Sequence, residues 1–369
     1  MRGRKYFPEE QPVLESALDG YLEWLGNEAR SCMGFQALLL GGGYGRGEGG
    51  VRIPVDGSAH CLYNDLEFYL FSAPVASDQL RSWMEEGEKR LHIEIEIKVI
   101  LPAIFQRARP SMFYYDLLKA HVLVAGDAAW VRSLPAELSQ AEAIPSVEAS
   151  RLLVNRGMSL LRCLRWSQGG VELNEGFCDR IVAKLKLALG DAVLCSLGQY
   201  HWSCRERNRR LSEVTCSPPD WQQLMAWHAE GVGFKFRPRH LKQTPADWQA
   251  TLAGLCGAWV QTFLWIETAR LKTTFATPLD YARFGGRLFP GESSAANILR
   301  QARDLARGRR GPWTGTDHPR SSVWKSLCLL LDPRRSEESL QLAAKLLNSR
   351  NSDAGAIEED CREAWRHYP

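Results

Sequence analysis

Three carboxylates and a run of glycines carry most of the chemical information in this chain. In Tyr63-Asn64-Asp65-Leu66-Glu67-Phe68-Tyr69-Leu70, two acids stand two residues apart within a stretch of apolar and aromatic residues that reads as a strand. Successive strand side chains alternate faces, so Asp65 and Glu67 point the same way with Cα atoms roughly 7 Å apart. Like charges held side by side repel, and the pair would be costly unless it faced open water or a cation. A second acidic strand follows. Glu94 and Glu96 share one face of Leu91–Leu101, with Ile93, Ile95, Ile97 and Val99 on the other. Two acids on one strand and another on its neighbour offer hard oxygen ligands to a divalent cation.

Upstream lies Leu38-Leu39-Leu40-Gly41-Gly42-Gly43-Tyr44-Gly45-Arg46-Gly47-Glu48-Gly49-Gly50. A strand that empties into glycines lets backbone N–H groups approach an anion closely, and phosphate is the usual guest. A P-loop would need Gly-Lys-Ser/Thr, and the chain has no such triplet. A G-x-G-x-x-G match falls at Gly45, Gly47 and Gly50. It lies several residues past the strand, however, and is followed by Val51-Arg52-Ile53-Pro54 rather than a helix, so a dinucleotide fold is not indicated. Glycines for phosphate and carboxylates for metal together suit two-metal phosphoryl or nucleotidyl transfer.

The ordered trio of Gly42–Glu48, then Asn64-Asp65-Leu66-Glu67, then Glu96-Ile97-Lys98-Val99-Ile100 resembles the polymerase-β-like nucleotidyltransferase superfamily. The nearest pattern is that of bacterial minimal nucleotidyltransferases and aminoglycoside adenylyltransferases, and the resemblance covers about residues 35–127. It implies that Asp65 and Glu67 hold Mg²⁺ or Mn²⁺, and that Glu96 is the third acid, as ligand or general base. It also implies that Gly42 and Gly43 cradle the β- and γ-phosphates, that Tyr44 belongs to the same nucleotide-binding turn, and that Arg46 adds positive charge. The implied reaction moves NMP from an NTP, with ATP the expected donor, to a hydroxyl and releases pyrophosphate. A small-molecule acceptor is favoured over RNA or protein, and the rival reading is an inactive nucleotide- or RNA-binding module. Three departures stand out: Gly43 replaces the family's serine, Glu67 stands where many members have Asp, and the spacer from Glu48 to Asp65 is long. That spacer holds Pro54, Asp56, Gly57 and His60, and a flap is expected there.

The elements that must position these residues can be read from periodicity. Pro12–Arg30 has leucines at 14, 18, 22 and 25, near a helical period. Short strands are expected at Phe35–Leu40, Leu62–Phe71 and Leu91–Leu101, and helices at Val75–Arg90 and Tyr114–Val124. After Ile144-Pro145-Ser146 alternation gives way to long helical patterns: Val147–Trp166, Cys178–Leu197, Pro219–Ala229, Ala246–Leu271 and Glu338–Leu347. Residues 232–245 and 307–321, rich in Gly, Pro and Arg, read as loops. The expectation is therefore an α+β protein. A nucleotidyltransferase-like mixed sheet with flanking helices would occupy residues 1–130, and a mostly helical domain for acceptor binding or cleft closure would occupy 147–369.

Composition agrees with two globular domains: 369 residues, 45% hydrophobic and 24% charged. Residues 1–130 hold thirteen Lys and Arg against eighteen Asp and Glu, whereas the remainder holds 33 against 25. Such an asymmetry suits an anionic substrate. Two basic stretches in the helical half are candidates for substrate contact. One carries Tyr200, His201, Arg205 and Arg207; the other carries Arg300, Arg303, Arg307, Arg309 and Arg310 with Trp313. Both also read as solvated helix faces, and for the second a small-molecule acceptor would leave the arginines without a role. Ten cysteines without a C-x-x-C pair read as buried reduced thiols, and no apolar run reaches the length of a membrane span. A cytoplasmic protein with no membrane partner is expected.

Overall fold

The computed structural model describes residues 6–54, 58–172, 174–240, 243–308 and 311–368, the side chain of Glu175 excepted. Asp56 and Gly57 of the expected flap, and Arg309 and Arg310 of the second basic stretch, lie outside them. The chain has a mixed α/β fold, with a small mixed sheet and many helices, and it divides into two compact units. The first comprises Met1–Glu148, Leu197–Glu213 and Ala229–Arg239; the second comprises Ala149–Ser196, Val214–His228 and His240–Pro369. The units are not contiguous in sequence, whereas the expected division was a linear one at 130–147. Two segments of the helical half fold with the N-terminal unit, because their polar side chains satisfy buried groups of the glycine turn, as described below.

In the first unit, helix α1 (Pro12–Arg30) is followed by strand β1 (Ala37–Leu40), a one-turn helix α2 (Gly42–Gly45) and a short hairpin of β2 (Val51–Arg52) and β3 (Cys61–Leu62). Strand β4 (Asp65–Phe71), helix α3 (Ser77–Leu91) and strand β5 (Glu94–Ile100) come next. Helices α4 (Pro102–Phe105) and α5 (Met112–Lys119), strand β6 (Val122–Gly126) and helix α6 (Ala128–Arg132) complete the N-terminal run. The four-stranded sheet has the order β5-β4-β1-β6; β4 and β5 are parallel and the two other pairings antiparallel. The α3 crossover makes the parallel pairing possible.

One sheet face is apolar throughout. Leu66, Phe68 and Leu70 of β4 and Ile95, Ile97 and Val99 of β5 pack with Leu18, Tyr21, Leu22 and Leu25 of α1 and with Trp83 of α3. The period-two pattern of the strands meets the 3.6-residue pattern of α1 here, which is why both were legible. Gly87 of α3 makes room for the Tyr21 phenol, which donates to the Trp83 carbonyl. The other face buries Ala37, Leu39, Tyr69 and Phe71 against Phe105, Leu117 and Leu138. It stays apolar only at the end of β4 distal to the acids.

Within the first unit, the elements around the acids and at the sheet edge depart from expectation. The strand expected at 62–71 is broken at Asn64, which adopts φ 80° and separates β3 from β4. The strand expected from Leu91 begins at Glu94, because α3 continues to Leu91 and ends on His92 in the left-handed conformation. The helix expected at Tyr114–Val124 stops at Lys119, and Val122–Gly126 instead forms β6. The open edge of β1 supplies the ladder partners that a helix would have denied it.

The second unit is helical, with α7 (Val147–Ser167), α8 (Glu175–Ser196), α11 (Pro245–Leu271), α12 (Pro278–Arg283), α13 (Ser294–Ala306), α14 (Arg320–Leu330), α15 (Glu337–Leu347) and α16 (Ala354–His367). Helix α11 starts with a capping box between Thr244 and Asp247, with Pro245 in the first turn, and ends on left-handed Lys272. Its Trp259 stacks on Phe263 and donates its indole N–H to the Leu153 carbonyl of α7, while Gly157 leaves space for the ring. The fully buried Glu267 is satisfied by Ser150, Arg270 and Tyr281, so this burial is structural. Helices α9 (Cys204–Leu211) and α10 (Trp221–Phe236) complete the chain. α9 and the C-terminal part of α10 lie in the first unit. The loop expected from 232 is thus helical to Phe236: Phe234 meets the Tyr63 ring edge-on, Lys235 bonds Glu48, and Phe236 carries the Arg205 guanidinium. Tertiary contacts outweigh the poor helix propensity of Gly231 and Gly233. The expected loop at 307–321 gives way to α14 at Arg320. All ten cysteines are free and seven of them are buried.

Candidate active site

The parallel register sets Glu67 beside Glu96 and Asp65 beside Glu94. Asp65 and Glu67 lie at the start of β4 on the face that farther along carries Tyr69, and Lys98 of β5 reaches over the Tyr69 ring. Asp65, Glu67, Glu96 and Lys98 thus share one face and one electrostatic environment. Burial pushes the Glu67 carboxyl up, and the neighbouring Asp65 charge pushes it further; Arg46 and Lys98 oppose the shift. Asp65 accepts a bond from the Asn64 side chain. Glu96 is paired with Lys98 at 2.8 Å. Glu94 is exposed at the sheet edge.

The glycine turn leaves β1 directly above Glu67. Gly41 donates its amide to the Glu67 carbonyl (2.8 Å), extending the β1–β4 ladder by one bond. Gly42 then takes φ 59°, and a Cβ there would collide with the Glu67 carboxylate. Only glycine satisfies both the left-handed backbone and this close approach. A carboxylate therefore occupies the space that Gly42 vacates, and the first amides of α2 lack an intrahelical acceptor, as at any helix start. Gly45 is demanded differently: a side chain would run into the Leu40 carbonyl.

Tyr44 and Arg46 are both engaged by other parts of the first unit. Tyr44 is 2% exposed, donates to the Gly50 and Tyr63 carbonyls and accepts the Tyr63 amide, so its phenol staples the turn to the β2–β3 hairpin. A ring so enclosed offers no face to a nucleotide. Arg46 pairs with Asp116 of α5 at 2.7 Å, and Asp116 also accepts from Tyr200. Burial raises the Asp116 carboxyl, with Arg46 and then Arg207 counteracting it. Arg46 acts on the acid face as a nearby charge, not as an open phosphate clamp.

Glu48, at the end of the glycine motif, is held by partners from far along the chain. Only 5% exposed, it accepts from Ser203 Oγ (2.7 Å), the Cys204 amide (2.9 Å) and Lys235 Nζ (2.8 Å). Burial alone would raise its carboxyl, but the Lys235 ammonium and the bonds from Lys235 and Ser203 outweigh it and hold the group at about 2. Sequence reasoning missed Ser203 and Lys235 as partners, since nothing local marks residues 155 and 187 positions away. The S-x-x-E signature of Ser203 and Glu206, an N-cap for α9, was the one available signal. Of the first basic stretch, Tyr200 and Arg207 are buried, and Arg207 donates to the His201 and Trp202 carbonyls. These two are part of the scaffold.

Among the described residues, no group of three or more His, Cys, Asp or Glu side chains is arranged to hold a metal ion. Asp65 and Glu67 are neighbours, and the third acid is committed to Lys98. No helix of the described residues is long and apolar enough to cross a membrane. No protein-family model, no curated protein and no solved structure matches the chain at a significant level.

Proposed function

We propose that the first unit is a nucleotidyltransferase-like module that transfers NMP from an NTP, with ATP the expected donor, to a hydroxyl of a small acceptor. One observation carries this reading: Glu67 and Glu96 sit side by side in the parallel register, Asp65 shares their face, and the Gly42 turn opens directly onto Glu67. Asp65 and Glu67 fit Mg²⁺ or Mn²⁺ by donor chemistry, as two hard carboxylates whose mutual repulsion a cation would relieve. Bound there, the ion would supply Lewis-acid stabilisation of phosphate charge. The resemblance gives Gly42 and Gly43 to the phosphates; here the space beside Gly42 holds the Glu67 carboxylate, so phosphates would reach this turn only together with a cation on Glu67. Glu96, once released from Lys98, would accept the acceptor's hydroxyl proton or become the third ligand.

The test is the melting temperature and pyrophosphate release of the full chain with ATP and Mg²⁺ or Mn²⁺. Metal with nucleotide should raise the melting temperature, and Asp65→Asn should abolish most of that rise while sparing the unliganded fold. Glu96→Gln should lower turnover by about a hundredfold or more, and Glu94→Gln far less. An unchanged shift in Asp65→Asn refutes the assignment. A second reading, a nucleotide-binding module without turnover, is favoured by the Glu96–Lys98 pair and by the engagement of Arg46 with Asp116. Nucleotide-dependent stabilisation without pyrophosphate release would select it.

A further inference from the structure

A cleft of about 320 Å³ lies in the first unit, lined by Phe7, Val51, Arg205, Phe236, Arg237 and Arg239 among others. It includes none of the acids of β4 and β5. We infer that this cleft binds a phosphate monoester carried on a planar aromatic or heteroaromatic group, independently of the carboxylate face.

Charge is the first argument. Three guanidiniums line the cleft against one carboxylate, Glu9, which is paired with Arg237. Among the described residues neither Arg205 nor Arg239 meets a carboxylate. A phosphate monoester brings a charge of about −1.5 to −2 at neutral pH, which matches those two cations, whereas a carboxylate brings half of it. The planar fork of arginine suits phosphate oxygens, and a concave site concentrates the field of like charges.

Shape and surface chemistry supply the second argument. Arg205 lies over the Phe236 ring at 4.7 Å, so one cation is already oriented by an aromatic face instead of moving freely. Phe7, buried and packed edge-on against Tyr44 at 5.6 Å, and Val51 provide rigid apolar wall. Ile53, which also lines the cleft, is 47% exposed, and an apolar ring would cover it. His60 is held by Gln11 at 3.0 Å and adds a polar rim. Such a mixture of apolar wall and a few fixed polar groups is characteristic of small-ligand sites, and the volume is at the small end of their range.

Calorimetry on the full chain with phenyl phosphate, inorganic phosphate, benzoate and phenol tests the inference. Phenyl phosphate should bind at least about tenfold more tightly than each of the other three. Arg205→Gln with Arg239→Gln should abolish that binding, and Arg205→Lys should retain part of it. Both positions are exposed, so the variants keep the wild-type melting temperature. Asp65→Asn should bind phenyl phosphate as the wild type does, which separates this site from the carboxylate face. The inference is overturned if phenyl phosphate fails to bind at millimolar concentration, if the double variant binds it undiminished, or if inorganic phosphate binds equally well.

Discussion

Glu48 offers the sharpest quantitative test of how the glycine turn is held. Glu48→Gln keeps the shape and an acceptor for Ser203 and the Cys204 amide but removes the charge that faces Lys235. The native carboxyl stands at about 2 against an ordinary 4.5. At about 1.4 kcal/mol per pH unit, that depression corresponds to about 3 kcal/mol of stability. Because the folded value is lowered, the contribution is complete above pH 4.5 and is lost as pH falls from there toward 2. The variant should therefore be about 3 kcal/mol less stable at pH 7, and the two proteins should converge near pH 2. Breaking a buried pair by removing one partner reaches a similar cost, since Lys235 is left without its counter-charge. Native-state hydrogen exchange at the amides of Leu38–Leu40 and Leu66–Leu70 reports the first unit alone. A loss below about 1 kcal/mol at pH 7, or parallel pH profiles for the two proteins, would refute the reasoning.

Other perturbations follow from the same geometry. Gly42→Ala and Gly45→Ala should each cost about 1–3 kcal/mol, through a left-handed backbone with a carboxylate clash and through a carbonyl clash respectively. Gly20→Ala, in mid-α1 with open space around it, should stabilise by about 0.5–1 kcal/mol in urea denaturation. Lys98→Met should free Glu96 and tighten Mn²⁺ binding measured by calorimetry; weaker binding would show that the ammonium serves the site. Arg46→Met should destabilise by about 3 kcal/mol, because the buried Asp116 loses its counter-charge, and adding Asp116→Asn should recover part of that loss.

Much of the carboxylate face was legible because its signals are local. Asp-x-Glu in a strand places two acids on one face whatever surrounds them, and alternating Glu and Ile in β5 divides solvent from core in the same way. The α1 leucines and the long helices of the second unit were readable for the same reason: hydrophobic period follows from backbone geometry. Partnership is different, since it depends on which distant groups the fold brings within hydrogen-bonding reach. Tyr44 and Arg46 sit in a motif that suggested phosphate contact, yet the first is consumed by the hairpin and the second by Asp116. Ser203 and Lys235 looked like parts of a helical half, yet they complete Glu48. Residues 122–126 have an apolar pattern compatible with helix or strand, and only the vacant edge of β1 decided between them. A buried polar group must be paired wherever its partner lies in the chain, so tertiary structure assigned these roles.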